Sequence, residues 1–222
     1  MRRVPLGQSS ITVSEFVFGA GSIGGVGTSA ATRGRGISPE EGMARLDEAW
    51  DAGIRLIDTA DAYAGGQSER TVGEWLQSRP VDEMLVSTKV GLVSRPDGTR
   101  GFDNSAGHIK RQLDQSIERL GRVDLFLSHA PDPVTPLEET VTAFAEAQDS
   151  GLIKGYGLSN VKADRLAAVL ETADRLGLAR PVLVENRLNL LDRADEAEVL
   201  PLVISEGTVS YTHLTLPTNR EV

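Results

Sequence analysis

Apolar residues follow two patterns that alternate along the chain. Short, nearly continuous runs include "IRLID" (54–58), "MLVSTKV" (84–90), "VDLFLSH" (123–129), "IKGYGLSN" (153–160) and "VLVEN" (182–186). Between them, apolar positions return every three or four residues. The runs predict strands buried on both faces, and the intervening stretches predict amphipathic helices. Met43, Leu46, Ala49 and Trp50 share one helical face, behind an N-cap, first-turn proline and capping glutamate in Ser38-Pro39-Glu40-Glu41; Gly53 stops that helix. Ser68 is expected to start a second helix, with Val72, Trp75 and Leu76 inside. Ile109, Leu113, Ile117 and Leu120 mark a third, ended by Gly121. A fourth runs from a Thr135-Pro136-Leu137-Glu138 cap through Val141 and Phe144 to Gly151. A fifth spans Leu166 to Leu176, and a last one about Asp195 to Leu200.

A repeated βα unit with buried strands predicts an α/β protein with a parallel sheet. Each strand ends in polar residues: Asp58, Lys89, His129, Ser159-Asn160 and Glu185-Asn186. Taking Asn160 and Asn186 from the last two pairs, they lie 31, 40, 31 and 26 residues apart. Five successive strands with polar C-terminal ends imply one common rim. That rim is where a (β/α)8 barrel carries its chemistry, although an open doubly wound sheet also places sites at strand ends. "GAGSIG" (19–24) fits the G-x-G-x-x-G dinucleotide fingerprint, yet no helical period follows it before Ser38. It is read instead as a glycine-rich loop leaving the first strand, with Gly21 and Ser22 touching a ligand.

Composition narrows the class. Of 222 residues, 40% are apolar and 25% charged, enough for a full core in one large domain or two small ones. The absence of cysteine excludes disulfides and thiolate chemistry. A net charge of −9 argues against nucleic acid as a partner. No apolar run approaches the roughly 20 residues of a membrane span, and "MRRVPLGQSS" lacks the apolar region of a secretory signal. A soluble cytoplasmic protein is expected.

The rim residues suggest a reaction. An isolated Asp or Tyr after a strand is ordinarily a solvated turn, and a lone histidine is more often a bonded core residue. Together, Asp58, Tyr63, Lys89 and His129 form a proton-transfer set. A lysine cation lowers a neighbouring phenol towards useful acidity, a carboxylate keeps that lysine charged, and an imidazole N–H supports a carbonyl oxygen as charge develops. Such a set suits protonation of a carbonyl oxygen while hydride reaches carbon, and hydride requires a nicotinamide cofactor. Lys89 taken alone also suits a Schiff-base lyase. Asp61 is read as a turn or cap group.

These residues resemble a known family. "GIRLIDTADAY", "VSTKVG", "VDLFLSHAPD" and "GLIKGYGLSN" are similar, in order and spacing, to the landmarks of the aldo-keto reductases, over roughly residues 3–207. "YAGGQSER" and "HAPDPVTPLEET" resemble the branch that includes aflatoxin-aldehyde reductases. The resemblance implies a (β/α)8 TIM barrel, here incomplete at about six to seven of eight βα units. Its "VPLGQSSITVSEFVFG" resembles an N-terminal β-hairpin that plugs the barrel floor. It further implies Asp58, Tyr63, Lys89 and His129 as the catalytic tetrad, with Ser159 and Asn160 on the nicotinamide carboxamide. It implies reduction of a small aldehyde or ketone with NADPH, or NADH. A non-catalytic cofactor-binding regulatory subunit of the same fold is the alternative. Two positions depart from the family: Glu185 stands where Gln commonly meets the carboxamide, and Leu188 where a tyrosine often stacks. An ionised glutamate accepts from the carboxamide NH2 but cannot donate to its C=O, so a weakened contact or altered local arrangement is expected.

The C-terminal stretch breaks the pattern. After "EVLPLVISEG" a seventh buried strand is due, whereas the chain continues "TVSYTHLTLPTNREV". Thr208–Thr218 resembles the translation of a transposon-end adapter used in sequencing libraries. Residues 1–207 are therefore expected to be a partial barrel, and 208–222 a non-native tail in which Tyr211 and His213 have no role. Such a chain, with an unclosed sheet, is expected to bind cofactor poorly, to be inactive and to aggregate.

Overall fold

The computed structural model describes residues 1–28, 30–32, 34–95 and 99–213. The chain opens with a hairpin: β1 (Arg3–Pro5) pairs antiparallel with β2 (Thr12–Ser14), Val4 facing Val13. After β3 (Phe18–Gly19), the glycine-rich segment does not open a helix. A bridge from Ile23 to Ile37 leads the chain to α1 (Pro39–Asp51), where Ser38 Oγ accepts from Glu41 N at 3.2 Å. The dinucleotide fingerprint is thus absent in structure as well as context.

βα units then follow in order. β4 (Leu56–Asp58) leads to α2 (Gln67–Gln77), and β5 (Leu85–Val90) to a second hairpin, β6 (Leu92–Ser94) with β7 (Arg100–Phe102). Then come α3 (Ala106–Leu120), β8 (Leu125–Ser128), α4 (Leu137–Asp149), β9 (Gly155–Ser159), α5 (Ala163–Leu176), β10 (Leu183–Arg187), α6 (Val199–Ser205) and β11 (Val209–His213). Seven strands form one sheet in the order β3-β4-β5-β8-β9-β10-β11, every neighbour parallel. The order never reverses, which excludes the doubly wound alternative and defines an incomplete (β/α) barrel.

Alternation along each strand sorts side chains into two layers. Ile57, Val86, Phe126 and Tyr156 face outward and pack against Val72, Trp75, Leu113 and Phe144 of the helices. Leu56, Leu125, Leu127 and Leu183 face inward, where Leu6, Ile11 and Val13 of the first hairpin meet them. The hairpin therefore seals the interior at the end opposite the polar rim, and the same parity aims Asp58, Lys89 and Glu185 inward above the apolar floor.

Several local readings change. Ser68 lies in the first turn of α2, as expected, behind an N-cap at Gly66. Ser68 is buried, donating to Ala20 O at 2.8 Å and sharing a hydrogen bond with Thr59 Oγ1 at 2.8 Å. Thr135 gives α4 no cap, because its hydroxyl turns to Asp132 Oδ2 at 2.5 Å. The last helix starts later than expected, after a 3-10 turn over Ala194–Glu196. The β6–β7 hairpin was not expected. Val209–His213, expected to lie outside the sheet, pairs in parallel with Leu183–Arg187; Val209, Tyr211 and Thr212 carry enough β preference to extend a waiting edge. The rest of the proposed tail, 214–222, lies outside the described residues.

Candidate active site

Asp58 closes β4 and is fully buried. Its Oδ2 accepts from Lys89 Nζ at 2.5 Å, and its Oδ1 from Ser87 Oγ at 3.1 Å. Lys89, on β5 and without solvent exposure, also donates to the Thr59 carbonyl at 3.1 Å. A second carboxylate reaches it: Glu185 Oε1 from β10 lies 3.2 Å from Nζ. Burial acts to strip the proton from Lys89, but Asp58 and then Glu185 outweigh it, and the pKa rises well above the ordinary lysine value.

Tyr63 is delivered by a turn with an uncommon backbone. Ala64, Gly65 and Gly66 all take positive φ, at 50°, 66° and 84°. The ring centre of Tyr63 lies 5.2 Å from Lys89 Nζ and 5.6 Å from that of His129, in an edge-to-face arrangement at 88°. His129 follows β8, anchored through its backbone N–H to Val90 O at 2.8 Å, while its carbonyl accepts from Asn160 Nδ2 at 2.9 Å. Asn160 holds a left-handed φ of 55°, which asparagine tolerates, and its amide also donates to Ser159 Oγ at 3.1 Å. Gly21 lies against Tyr63: a Cβ there would stand 3.4 Å from Cε2 of the phenol ring. Ser22 is exposed, and its carbonyl is committed to Ile37 N at 2.9 Å.

Substituting Gly66→Ala tests the turn. The left-handed φ costs an L-residue roughly 1–2 kcal/mol, while the new methyl would meet Arg119 Cδ only in ordinary contact at 3.4 Å. The expected result is a melting midpoint lower by roughly 2–8 °C, with Tyr63 displaced; an unchanged midpoint contradicts this account.

One expectation is corrected. The lysine was expected to bring Tyr63 towards neutrality, but burial pushes the phenol up, Lys89 only partly opposes this, and Asp58 and Glu185 add to the rise, leaving it at about 12. The sequence hides both the depth of burial and the second carboxylate. Two further features escaped the sequence reading. Glu69 is wholly buried, accepting from Thr88 Oγ1 and from Arg119 Nε, each at 2.6 Å. Its signal was available, since Glu69 precedes Val72 by three positions and so shares the inward face of α2. Asp61 does lie in a turn, as read, but it is half-buried with its Oδ1 shielded from solvent, and burial together with the charge of Glu69 lifts its carboxyl to about 7.

A cleft of about 410 Å³ opens at the rim beside His129 and Asn160, walled by Val26, Leu92 and Phe102. The unexpected hairpin supplies two of those walls. Among the described residues no group of side chains suits a metal ion, and no helix is long and apolar enough to cross a membrane.

The incomplete barrel thus gathers a buried ammonium, two carboxyl groups, a phenol and an imidazole at one rim. Residues 17–216 match the model of the Aldo/keto reductase family, and the chain belongs to that family. It is 32% identical over 223 residues to the NADH-specific methylglyoxal reductase of Escherichia coli, covering 94% of this chain and 65% of that protein. It is 32% identical over 211 residues to a probable voltage-gated potassium channel subunit beta of Oryza sativa subsp. japonica, covering 91% and 60%. A solved holo form of an aldo-keto reductase from Bacillus halodurans superposes with a TM-score of 0.79 at 29% identity, over 96% of this chain and 65% of that one. The chain thus spans about two thirds or less of the length of these relatives.

Proposed function

We propose that the protein reduces an aldehyde or ketone with a nicotinamide cofactor, Tyr63 giving the proton to the carbonyl oxygen. The observation that carries this reading is the buried Asp58–Lys89 pair at 2.5 Å with the Tyr63 ring above it and His129 at its edge. Asp58 fixes the ammonium, the ammonium polarises the phenol, and His129 supports charge on the substrate oxygen. The high pKa of Lys89 favours this role over a Schiff-base lyase, which needs a neutral amine.

The residues fit a nicotinamide head group. Ser159 offers a buried hydroxyl, and Asn160 is locked at the cleft with its amide already bonded to His129 O and Ser159 Oγ. Ser159 and Asn160 would hold the carboxamide, and Gly21 leaves room beside the phenol. When bound, the cofactor supplies hydride. Glu185 is held by Lys89, so it is a poor partner for the carboxamide, in line with the expected weakening. NADPH is the proposed cofactor, with NADH the alternative in view of the Escherichia coli relative.

Likeness to a channel β subunit favours one second reading, a cofactor-binding regulatory subunit of this fold. Aldehyde-dependent oxidation of NADPH or NADH by the full-length protein, with the two final βα units restored, separates the two. Turnover supports the reductase, whereas tight cofactor binding without turnover for any of a range of aldehydes and ketones rejects it. We also propose that the protein's own sequence ends near Gly207 here and that 208–222 is not native. Genomic DNA reading through codons 208–222 unchanged would refute this. The 222-residue chain is expected to leave nicotinamide fluorescence nearly unchanged in titration, and sub-micromolar binding would contradict that.

A further inference from the structure

Lys89 has more counter-charge than its own proton requires. Asp58 and Glu185 both reach its ammonium, at 2.5 and 3.2 Å, and all three side chains are shut away from solvent. Two carboxyl groups therefore face one ammonium beneath Tyr63. The second carboxylate is held in place. Asn160 N donates to the Glu185 carbonyl at 3.0 Å, and the next residue, Asn186, is tied to Val161 O at 2.7 Å and to Asp195 Oδ2 at 2.7 Å. Two anchored carboxylates from different strands fix the position of the ammonium and divide its field.

We propose that Glu185 is a positioning residue, a second counter-ion that seats Lys89 between two carboxylates and shields Tyr63 from the ammonium, so that the phenol keeps its proton until a substrate takes it. The charged groups facing Tyr63 are Lys89 from β5, Asp58 from β4 and Glu185 from β10, with His129 at its edge and Tyr211 of β11 nearby. Only the ammonium draws the proton off; burial and both carboxylates keep it on. Neutralising Glu185 leaves Asp58 as the one carboxylate on the ammonium among the described residues, beside the Thr59 carbonyl, and turns more of the ammonium's field on the phenol. The site is thereby set as a donor, and its use as an acceptor in alcohol oxidation is delayed to higher pH.

The test is the titration of Tyr63 without cofactor or substrate, read from phenolate near-ultraviolet absorption with Tyr63→Phe as the blank. Glu185→Gln keeps the size and removes the charge; its Tyr63 phenolate is expected about one pH unit lower, roughly a tenfold gain at fixed alkaline pH. Glu185→Asp keeps the charge on a shorter arm, and its titration is expected between the two. If Glu185→Gln does not fold, Glu185→Asp carries the test. A folded variant of either kind that titrates like the wild type overturns the proposal. The inference rests on Tyr63 as the proton donor, but its readout is separate. Protein that titrates as expected yet reduces no carbonyl defeats the reductase reading and leaves the counter-ion in place.

Discussion

Tyr63→Phe is expected to lower the turnover of carbonyl reduction by about 10²–10⁴-fold, the usual contribution of a positioned general acid. Cofactor affinity should stay nearly unchanged. The substitution removes one oxygen and keeps the ring, so the edge contact with His129 and the packing against Gly21 survive. Nothing else in the cluster is placed to replace the phenol. Lys89 is held by Asp58, Glu185 and the Thr59 carbonyl, and a buried ammonium with a raised pKa is a weaker acid still. Turnover of the full-length protein with a reactive aldehyde, alongside nicotinamide fluorescence titration of the same samples, checks both halves. Retention of a tenth or more of wild-type turnover would move the proton-donor role to another group. Loss of cofactor binding in parallel would make Tyr63 a binding residue instead.

Asp58, Lys89 and His129 were legible because buried parallel strands leave few ways to carry polar residues. Apolar runs that each end in one, at similar spacing, converge on one rim by the geometry of the βα unit. The cap at Ser38 was readable for local reasons, as its chemistry is completed within a few residues, whereas the first hairpin was expected only from the family resemblance. Ser68 was legible as a helix start, but its burial was not, because its contact, Ala20 O, lies 48 positions away. The β6–β7 hairpin has strands of three residues each, too short for alternation to register, although "RPDGTR" between them holds turn chemistry. The ionisation of Tyr63 was unreadable in principle. It depends on burial and on a carboxylate 122 positions further along, which no local pattern reveals.

Asp61 is expected to make the protein less stable as pH rises from about 4 to about 7, reversing the usual behaviour of a carboxylate. Burial first, and the charge of Glu69 second, raise its folded pKa from 3.8 to about 7, against partial relief from the Ala62 backbone and the Arg119 and Lys89 cations. Below the unfolded value, both states are protonated and there is no penalty. Between the two values, only the unfolded chain gives up the proton, so stability falls by about 1.4 kcal/mol per pH unit. Above about 7, both states are ionised and the full cost is carried, roughly 2–4 kcal/mol once partial contact with water is allowed for. Asp61→Asn is uncharged and keeps an oxygen for the Ala62 N–H. It should match the wild type near pH 4 and exceed it by roughly 2–4 kcal/mol at about pH 8, read from urea midpoints at both pH values. Equal stabilities at the higher pH would show that Asp61 reaches solvent freely. The cost falls on the turn that carries Tyr63, and Asp61 N is bonded to Lys89 O at 3.1 Å. Stability lost here is therefore local to the turn that carries Tyr63 and to the strand end that carries Lys89.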